Sequence, residues 1–576
     1  MRTPVTALKF SRQVSTSTTL LAPGLWLKFW SGSSDSDLHE IDTLVPSCDA
    51  ILDNSKTLGF HGGSSGPDRL IKERDAWNSF RYEILRLAHT LKLKGWRSVP
   101  LDRASEIEVT RLSGALTNAV YLVFPPLDFR SHTTDVSEEG RPRAYKKPPQ
   151  KLLLRIYGPQ VDELIDRDYE LQVLRRLARQ RIGPRLLGTF LNGRFEQFLN
   201  AQTLTARDLR APDTSKQIAK RMRELHDGIE LLKEERDAGP FVWRNWDNWV
   251  DKVDPVARWL DKQVNDHTLG STKAHRDAWK DRGFVCGVEW PVFRDTVRQY
   301  RTWMENRYGG PGKVREKLVF AHNDTQYGNL LRLQPSGESP LLLPANEHKQ
   351  LVVIDFEYAS ANLPGLEFAN HFTEWCYDYT DPKRPYALNH GRYPTPEEQR
   401  RFVRAYVEHT PFQTRPATSP SSPPPSTGPS NSISAFMLDS RASAPQIIKE
   451  EAEREQSSDD AIKEYLHDTQ LWRLANSAQW IAWGILQAQT GMPDEGLSSK
   501  DAPNPCPTDH TEPSGTDYGP DASLTRVEEE SRDEFDYLSY AQERALFFWG
   551  DIVRLGIRPA RDLPAELLPK LKIVDH

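Results

Sequence analysis

One short segment constrains this chain more than any other: residues 319–331, in which two apolar runs enclose a polar turn. The turn contains His322, Asn323 and Asp324, and Asn329 follows five positions after Asp324. Apolar runs interrupted by turn-forming residues predict two short buried strands joined by a loop. This layout is typical of a catalytic loop that presents a carboxylate and an amide, and we expect His322 to orient it.

A second segment, residues 351–358, supplies two more carboxylates. Its apolar run predicts a buried strand that ends at Asp355, and Glu357 follows two positions later. Phosphoryl transfer needs one carboxylate for the acceptor hydroxyl and separate oxygen ligands for Mg²⁺. Asp324 fits the first role. Asn329 and Asp355 fit the second, with Glu357 supporting a second ion.

The continuation of this segment carries a specific resemblance. Residues 355–375 are closely similar to the choline/ethanolamine kinase family, and residues 325–329 and 374–379 most resemble its fungal choline kinases. The resemblance implies an α+β, bilobal protein-kinase-like fold with an antiparallel-sheet N-lobe and a mainly helical C-lobe. It also implies transfer of the ATP γ-phosphate to the choline hydroxyl, the first step from choline to phosphatidylcholine, with ethanolamine as a side substrate.

A polar turn at residues 113–118 is expected to contact the ATP phosphates. It lies between two apolar runs, 107–112 and 120–124, that predict a pair of strands. Consecutive backbone N–H groups in such a turn can bind phosphate oxygens. The residues of the turn that we expect to bind ATP are Ser113, Gly114 and Asn118.

Three further residues are expected near the nucleotide. Arg155 lies on a predicted strand where kinases place their phosphate-contacting cation. Glu170 opens the next predicted helix, so we expect an Arg155–Glu170 ion pair like the kinase Lys–Glu pair, with a surface salt bridge as the alternative. Gln197 lies on the second strand of a predicted hairpin, residues 193–199, and is a candidate for contact with adenine or ribose.

A quaternary ammonium has no N–H to donate, so aromatic faces bind it best, with acids adding long-range charge. The resemblance implies that the choline pocket is formed by Tyr358, Glu374, Tyr379, Trp480, Trp483 and Tyr540. Trp480 and Trp483 share a helix face, which core packing would also require. Glu367 departs from the family, which usually has Asp at this position, and this change is expected to shift a contact beneath the catalytic loop or the metal.

The length of 576 residues predicts more than one core. We expect an N-terminal ATP-binding lobe and a C-terminal catalytic and choline-binding lobe, interrupted by polar segments that bury little apolar surface. The expected divisions are an extension at 1–70, the N-lobe at 71–200 with an insertion at 125–150, and the C-lobe at 201–576 with disordered insertions at 410–459 and 492–534.

Composition limits the partners. A net charge of −6, with both signs mixed along the chain, gives no reason to expect nucleic acid. The four cysteines are far apart, so neither a zinc motif nor a disulfide framework is indicated and a reducing compartment fits. No apolar run reaches the length of a membrane span.

We expect a cytoplasmic protein, with a mitochondrial presequence as the alternative because residues 1–34 lack acids. The resemblance also implies a homodimer.

Three alternatives remain open. The first is an ethanolamine kinase, and the second is an aminoglycoside-type phosphotransferase with the same His-x-Asp and strand-end Asp layout. The third is a non-catalytic scaffold that acts through its insertions. An aromatic cage favours choline, because a primary ammonium prefers additional acceptors. The presence of Asp324, Asn329, Asp355 and Glu357 argues against the scaffold.

Overall fold

Buried apolar side chains form two separate hydrophobic cores in the computed structural model. The smaller core includes Tyr121, Leu154 and Phe195, and the larger includes Phe320 and Val353. A sheet-based core beside a mainly helical one confirms the bilobal, protein-kinase-like α+β fold. The structure describes residues 45–53, 67–112, 118–129, 148–157, 167–180, 182–265, 279–411, 444–489 and 535–576.

A single sheet organises the N-terminal lobe. Its strands are β1 (Ser47–Cys48), β2 (Glu108–Arg111), β3 (Asn118–Phe124), β4 (Leu152–Tyr157), β5 (Leu186–Phe190) and β6 (Gly193–Gln197). They lie in the order β1-β5-β6-β4-β3-β2; β1 and β5 are parallel, and the other neighbours are antiparallel. On β4, Leu152, Leu154 and Ile156 are buried in the core. Because side chains alternate along a strand, Arg155 faces the cleft between the lobes.

The prediction that residues 1–70 form a poorly ordered extension is wrong for the last part of this range. There β1 joins the sheet, and the side-chain amide of Asn192 accepts from the Leu52 N–H and donates to the Leu52 carbonyl, both at 2.9 Å. A two-residue strand carries too little periodicity to be recognised in a sequence. Helix α1 (Pro67–Thr90) also begins inside the expected extension, and the second helix of this lobe is α2 (Arg167–Arg179).

Helices form most of the C-terminal lobe, and the longest of them, with 46 residues, packs against several others. They are α3 (Pro212–Gly228), α4 (Lys233–Asp237), α5 (Phe241–Asn265), α6 (Trp290–Tyr308), α7 (Pro311–Glu316), α8 (Pro364–Glu374), α9 (Pro396–Glu408), α10 (Ala444–Gln489) and α11 (Tyr537–Arg554). In the described ranges, no helix combines the length and the apolar character needed to cross a bilayer.

The predicted end of the insertion at 410–459 is also wrong. Residues 444–459 were expected to be disordered, and they form the start of helix α10. Residues 451–457 are exposed, and Lys449 lies 3.7 Å from Glu453, one turn further along. Polar residues with high helix propensity and i,i+4 ion pairs favour a solvated helix, so low apolarity predicts exposure here rather than disorder. The remaining parts of the predicted insertions lie mostly outside the residues that the structure describes, at 130–147, 412–443 and 492–534.

Five short strands bring the two polar segments together. They are β7 (Ala201–Thr203), β8 (Val319–Ala321), β9 (Leu330–Leu333), β10 (Leu351–Val353) and β11 (Ser360–Asn362). Strand β9 lies between β7 and β10, and β8 pairs with β11, all antiparallel. The Ile354 N–H donates to the Asn329 carbonyl at 3.0 Å, which ties the end of β10 to the start of β9. The 322–329 loop and Asp355 therefore open into one cleft.

Candidate active site

One continuous cavity of 660 Å³ lies between the lobes. Its lining includes most of the predicted site residues: Asp324, Asn329, Asp355, Glu357, Tyr358, Glu374, Tyr379, Trp480, Trp483, Tyr540, Arg155 and Gln197. Ser113 and Gly114 lie outside the described residues, and for Asn118 the structure describes only the backbone at the start of β3. The fold thus gathers carboxylates, an amide and an aromatic wall around one space.

Two left-handed residues shape the polar end of this cavity. Asn323 has φ +65° and Asp355 has φ +66°, a region that residues other than glycine rarely adopt. The Asn323 side chain donates to the Tyr358 carbonyl at 2.9 Å and accepts from Asn362 Nδ2 at 2.7 Å. Buried hydrogen bonds of this kind stabilise an otherwise costly backbone conformation. Asn323 therefore holds the turn that presents Asp324 to the cavity.

The side chains of Asn329 and Asp324 contact each other directly. Asn329 Nδ2 donates to Asp324 Oδ2 at 2.8 Å and to the Asp324 carbonyl at 3.0 Å. With the amide nitrogen engaged in this way, the amide oxygen of Asn329 is the atom suited to a cation. Asp324 keeps its second carboxylate oxygen, Oδ1, for other partners.

His322 is buried beneath the loop and does not contact the cavity itself. Its Nδ1 accepts from the Asp324 N–H at 3.2 Å, and its Nε2 donates to the Ile354 carbonyl at 2.9 Å. Burial lowers the pKa of His322, which favours the neutral ring that this pattern needs. The ring thereby links the turn before Asp324 to the strand end before Asp355.

Glu367 occupies the centre of a buried network under the same loop. Its Oε1 accepts from the Thr325 hydroxyl at 2.8 Å and from the His322 N–H at 3.1 Å, and its Oε2 lies 2.5 Å from His226 Nε2. Burial acts to raise the pKa of Glu367, but His226 outweighs it and the pKa is lowered. His226 is itself buried, and its other ring nitrogen lies 2.7 Å from the Tyr406 hydroxyl.

The predicted Arg155–Glu170 ion pair is wrong. Arg155 Nη1 lies 3.3 Å from both Asp355 Oδ1 and Glu357 Oε1. Glu170 pairs instead with Arg194 Nη1 at 2.7 Å. Arg155 and Arg194 are cross-strand neighbours on β4 and β6, so their side chains share one face of the sheet and divide the available carboxylates between them.

Opposite pKa shifts distinguish the two principal carboxylates. Burial acts to raise the pKa of Asp355, but Arg155 and Arg194 outweigh it and hold the pKa below its ordinary value. The pKa of Asp324 is raised well above its ordinary value by burial, and the charges of Glu374 and Asp355 raise it further. Asp355 is therefore ionised at neutral pH, whereas Asp324 retains a proton more readily.

An aromatic wall forms the other end of the cavity. The Trp480 and Trp483 rings lie 5.3 Å apart at 80°, and Tyr358 lies 5.4 Å from Trp480. Trp483 Nε1 donates to the Tyr358 hydroxyl at 2.8 Å, and Trp480 Nε1 donates to Asn370 Oδ1 at 2.9 Å. Since both indole N–H groups are engaged by the protein, what these side chains offer to a ligand is their π surface.

Glu374 is the acid of this wall. Its Oε1 accepts from Arg544 Nη2 at 2.7 Å, and its Oε2 accepts from the Tyr379 hydroxyl at 2.7 Å. Burial raises the pKa of Glu374 despite both contacts. Sequence reasoning missed Arg544, although it lies one helical turn after Tyr540 on the buried face of α11. It also missed Phe535, which lines the cavity directly after the predicted insertion.

The N-terminal lobe closes the opposite end of the cavity. Gln197, at the end of β6, lines the cavity beside Phe198 and Leu199, and its side-chain oxygen accepts from Arg185 Nε at 3.2 Å. Leu153 lies on the same wall. This end combines apolar side chains with strand-edge backbone, an environment that suits a flat heterocycle.

Two family models match this chain. The model for choline/ethanolamine kinase covers residues 109–549, and the model for the choline kinase N terminus covers residues 36–105. The second match spans β1 and α1, which agrees with the corrected limit of the N-terminal extension.

Individual relatives point the same way. A choline kinase of Saccharomyces cerevisiae is 31% identical over 525 residues, which cover 83% of this chain and 76% of that protein. A choline kinase of Schizosaccharomyces pombe is 38% identical over 331 residues, covering 58% of this chain and 64% of the relative. An ethanolamine kinase of Saccharomyces cerevisiae is 27% identical over 501 residues, covering 83% and 77% respectively.

Proposed function

Because this chain belongs to the choline/ethanolamine kinase family, we propose that it is an ATP-dependent choline kinase that forms phosphocholine and ADP, with ethanolamine as a side substrate. One observation carries the assignment of substrate. Asp324 and the aromatic wall face the same 660 Å³ cavity, so a cation held by the wall places its hydroxyl arm near a carboxylate.

Asp324 accepts the proton of the choline hydroxyl. Its Oδ2 is held by Asn329 Nδ2 at 2.8 Å, which leaves Oδ1 to receive the hydroxyl. Burial, Glu374 and Asp355 raise its pKa, so it is a stronger base than a solvated aspartate. The positive charge of choline opposes this shift and favours the ionised carboxylate when the substrate is bound.

The metal-binding residues are Asn329, Asp355 and Glu357. All three offer oxygen atoms, the ligands that Mg²⁺ prefers, and Asp355 is kept ionised by Arg155 and Arg194, so the donor set fits that ion. Bound Mg²⁺ supplies neutralising charge to the ATP phosphates. Arg155, 3.3 Å from both carboxylates, stands beside the same phosphates and steadies them.

The aromatic wall recognises the trimethylammonium group. Cation–π contacts contribute about 0.5–2 kcal/mol each, more when they are desolvated, and Trp480, Trp483, Tyr358 and Tyr540 supply four such faces. Glu374 adds negative charge that Arg544 partly neutralises. A primary ammonium would need acceptors for its N–H groups, and this wall offers few of them, so choline is preferred over ethanolamine.

Side-by-side steady-state kinetics test the assignment. With ATP and Mg²⁺, kcat/KM for choline should exceed that for ethanolamine. Trp480→Leu and Trp483→Leu should each lower kcat/KM for choline about tenfold or more and reduce that for ethanolamine less. Trp472→Leu is the matched control: this tryptophan is buried on the same helix outside the cavity, so its loss should leave the choline-to-ethanolamine ratio unchanged.

Three results would change the proposal. Equal losses for both substrates in the Trp480 and Trp483 variants would show that the aromatic wall does not select choline. A preference of the unaltered chain for ethanolamine would make it an ethanolamine kinase. Failure of folded protein to phosphorylate either alcohol would remove the proposed function altogether.

Location and assembly complete the proposal. Cys48, Cys286 and Cys376 are free thiols, which fits a reducing compartment, and we assign the protein to the cytoplasm. The family resemblance supports a homodimer, which light scattering of the purified chain tests directly.

A further inference from the structure

A cluster of three potential metal ligands lies outside the interlobe cavity. It consists of Glu224 on α3, His348 in the 3₁₀ turn Pro344–Gln350 and His409, which directly follows α9. His348 Nε2 lies 2.9 Å and His409 Nε2 lies 3.3 Å from the same carboxylate oxygen, Glu224 Oε1. All three ligand atoms lie within 4.8 Å of one another.

These distances are close to those of a tetrahedral metal site. With metal–nitrogen and metal–oxygen bonds of about 2.0–2.1 Å, neighbouring ligand atoms stand about 3.3 Å apart. The distances from Glu224 Oε1 to the two histidine nitrogens differ from that separation by only a few tenths of an ångström, which side-chain rotation can supply. Two imidazoles and one carboxylate also form a ligand set that zinc accepts.

The surroundings fix the carboxylate in a one-oxygen geometry. Arg221 Nη1 contacts Glu224 Oε2, so the other oxygen, Oε1, is the one turned toward the two histidines. Outer contacts of this kind orient metal ligands. His348 is buried, 12% of the Glu224 side chain is exposed, and His409 is half-buried and lines a 640 Å³ cleft. The cleft gives an ion a route of entry and room for a water molecule.

We propose that Glu224, His348 and His409 form a binding site for a divalent transition-metal ion of the zinc type, with water from the cleft as the fourth ligand. The site is separate from the Mg²⁺ residues of the interlobe cavity. It joins α3, the 3₁₀ turn and the end of α9, which are far apart in the chain. Metal binding therefore stabilises the C-terminal lobe, because only the folded chain assembles the ligands.

The protonation states agree with this geometry. Burial acts to raise the pKa of Glu224, but His348 and His409 hold it well below the ordinary value, so the carboxylate is ionised. Burial lowers the pKa of His348, which favours the neutral imidazole that binds metals. At neutral pH Glu224 is therefore an ionised carboxylate and His348 a neutral ring, and Nε2 of that ring binds a metal once its proton has moved to Nδ1.

The charge around the site opposes a cation. The same cleft is lined by five basic side chains, Lys216, Lys220, Arg400, Arg401 and Arg404, and by two acids, Glu397 and Glu408. The favourable free energy of metal binding must therefore come from the bonds between the ion and its three ligands. Salt screens the repulsion, so affinity for zinc should rise with ionic strength, whereas affinity for the acidic Mg²⁺ site should fall. This opposite salt dependence separates the two sites.

Metal titration of the full chain tests the proposal. The affinity tag is removed, the protein is stripped with EDTA, and zinc is titrated against a chromophoric chelator while cobalt binding is followed by its visible absorption. We expect one high-affinity equivalent per chain, tetrahedral-type cobalt absorption and a rise in Tm of about 3–5 °C at a hundredfold excess over Kd.

Variants locate the ion. His348→Ala, Glu224→Gln and His409→Ala should each weaken zinc binding at least a hundredfold and abolish the zinc-dependent rise in Tm. His409 is half-exposed, so this variant should still fold even if the buried changes destabilise the lobe. His467→Ala, an exposed histidine on α10, is the matched control and should bind zinc normally.

Two outcomes would overturn the proposal. In the first, zinc leaves the Tm of the unaltered chain unchanged, which would mean that the histidines serve only as hydrogen-bond donors to Glu224. In the second, zinc binding survives His409→Ala and Glu224→Gln and is lost in Asp355→Asn, which would place the ion in the interlobe cavity.

Discussion

Asn329 Nδ2 donates to Asp324 Oδ2 at 2.8 Å, so the side chain proposed to hold the metal also orients the proposed base. In the proposed mechanism two roles depend on one amide, because its nitrogen positions Asp324 and its oxygen would bind the cation. Loss of this side chain should therefore affect the metal requirement and the proton transfer together.

Asn329→Ala should lower kcat about 10²–10³-fold, because the reaction loses a metal ligand and the orientation of the base. The concentration of Mg²⁺ needed for half-maximal rate should also rise. Steady-state kinetics over a series of Mg²⁺ concentrations measure both effects. A large fall in kcat with an unchanged Mg²⁺ requirement would mean that Asn329 acts on Asp324 alone.

The pH profile should report the raised pKa of Asp324. Burial and the charges of Glu374 and Asp355 favour its protonated form, so the base is lost as pH falls through a pKa higher than that of an ordinary aspartate, about 3.9. The acid limb of kcat/KM, which reports the free enzyme, should lie above that value. Glu374→Gln removes a negative neighbour and should move the limb to lower pH, and an upward movement would contradict this electrostatic account.

Glu367→Gln should lower kcat about 10–100-fold while KM for choline changes less than twofold. The amide nitrogen would replace an oxygen that accepts either from Thr325 Oγ1 and the His322 N–H or from His226 Nε2. Either placement disturbs the network beneath the loop, so the loop would shift without losing the pocket. Glu367→Asp keeps the charge and should lose less activity. If KM rose instead of kcat falling, Glu367 would be acting on substrate binding.

Arg194→Met should destabilise the N-terminal lobe by about 3–5 kcal/mol, because it removes a buried arginine that pairs with two buried carboxylates, Glu170 and Glu196. Urea unfolding measures this loss. Arg86→Met breaks an exposed pair with Glu83 and is the matched control, with little expected change. A loss of stability in the Arg194 variant no larger than in the control would show that the buried pair contributes little.

The sequence predicted the polar end of the site through local signals. An apolar run that ends in a carboxylate marks a strand end and identified Asp355, and a polar turn between two apolar runs identified Asp324 and Asn329. The residues of the aromatic wall were predicted from the family resemblance, because Trp480 and Trp483 have the spacing of ordinary core residues.

Pairings across the chain were harder to predict. Which of two arginines takes Glu170 depends on the register between β4 and β6, which no local pattern specifies. The anchoring of β1 depends on Asn192, far along the chain. A search for cysteine spacing does not identify the histidines of the proposed metal site. Their carboxylate partner lies up to 185 positions away in the chain, so no local motif joins them.

The continuity of the interlobe cavity has a stereochemical consequence. With ATP at the N-lobe end and the alcohol at the aromatic end, both substrates occupy one space, and the γ-phosphoryl group passes directly between them in line. A single displacement inverts the configuration at phosphorus. ATP made chiral at its γ-phosphorus should therefore give phosphocholine of inverted configuration, and the protein should never carry the phosphoryl group itself.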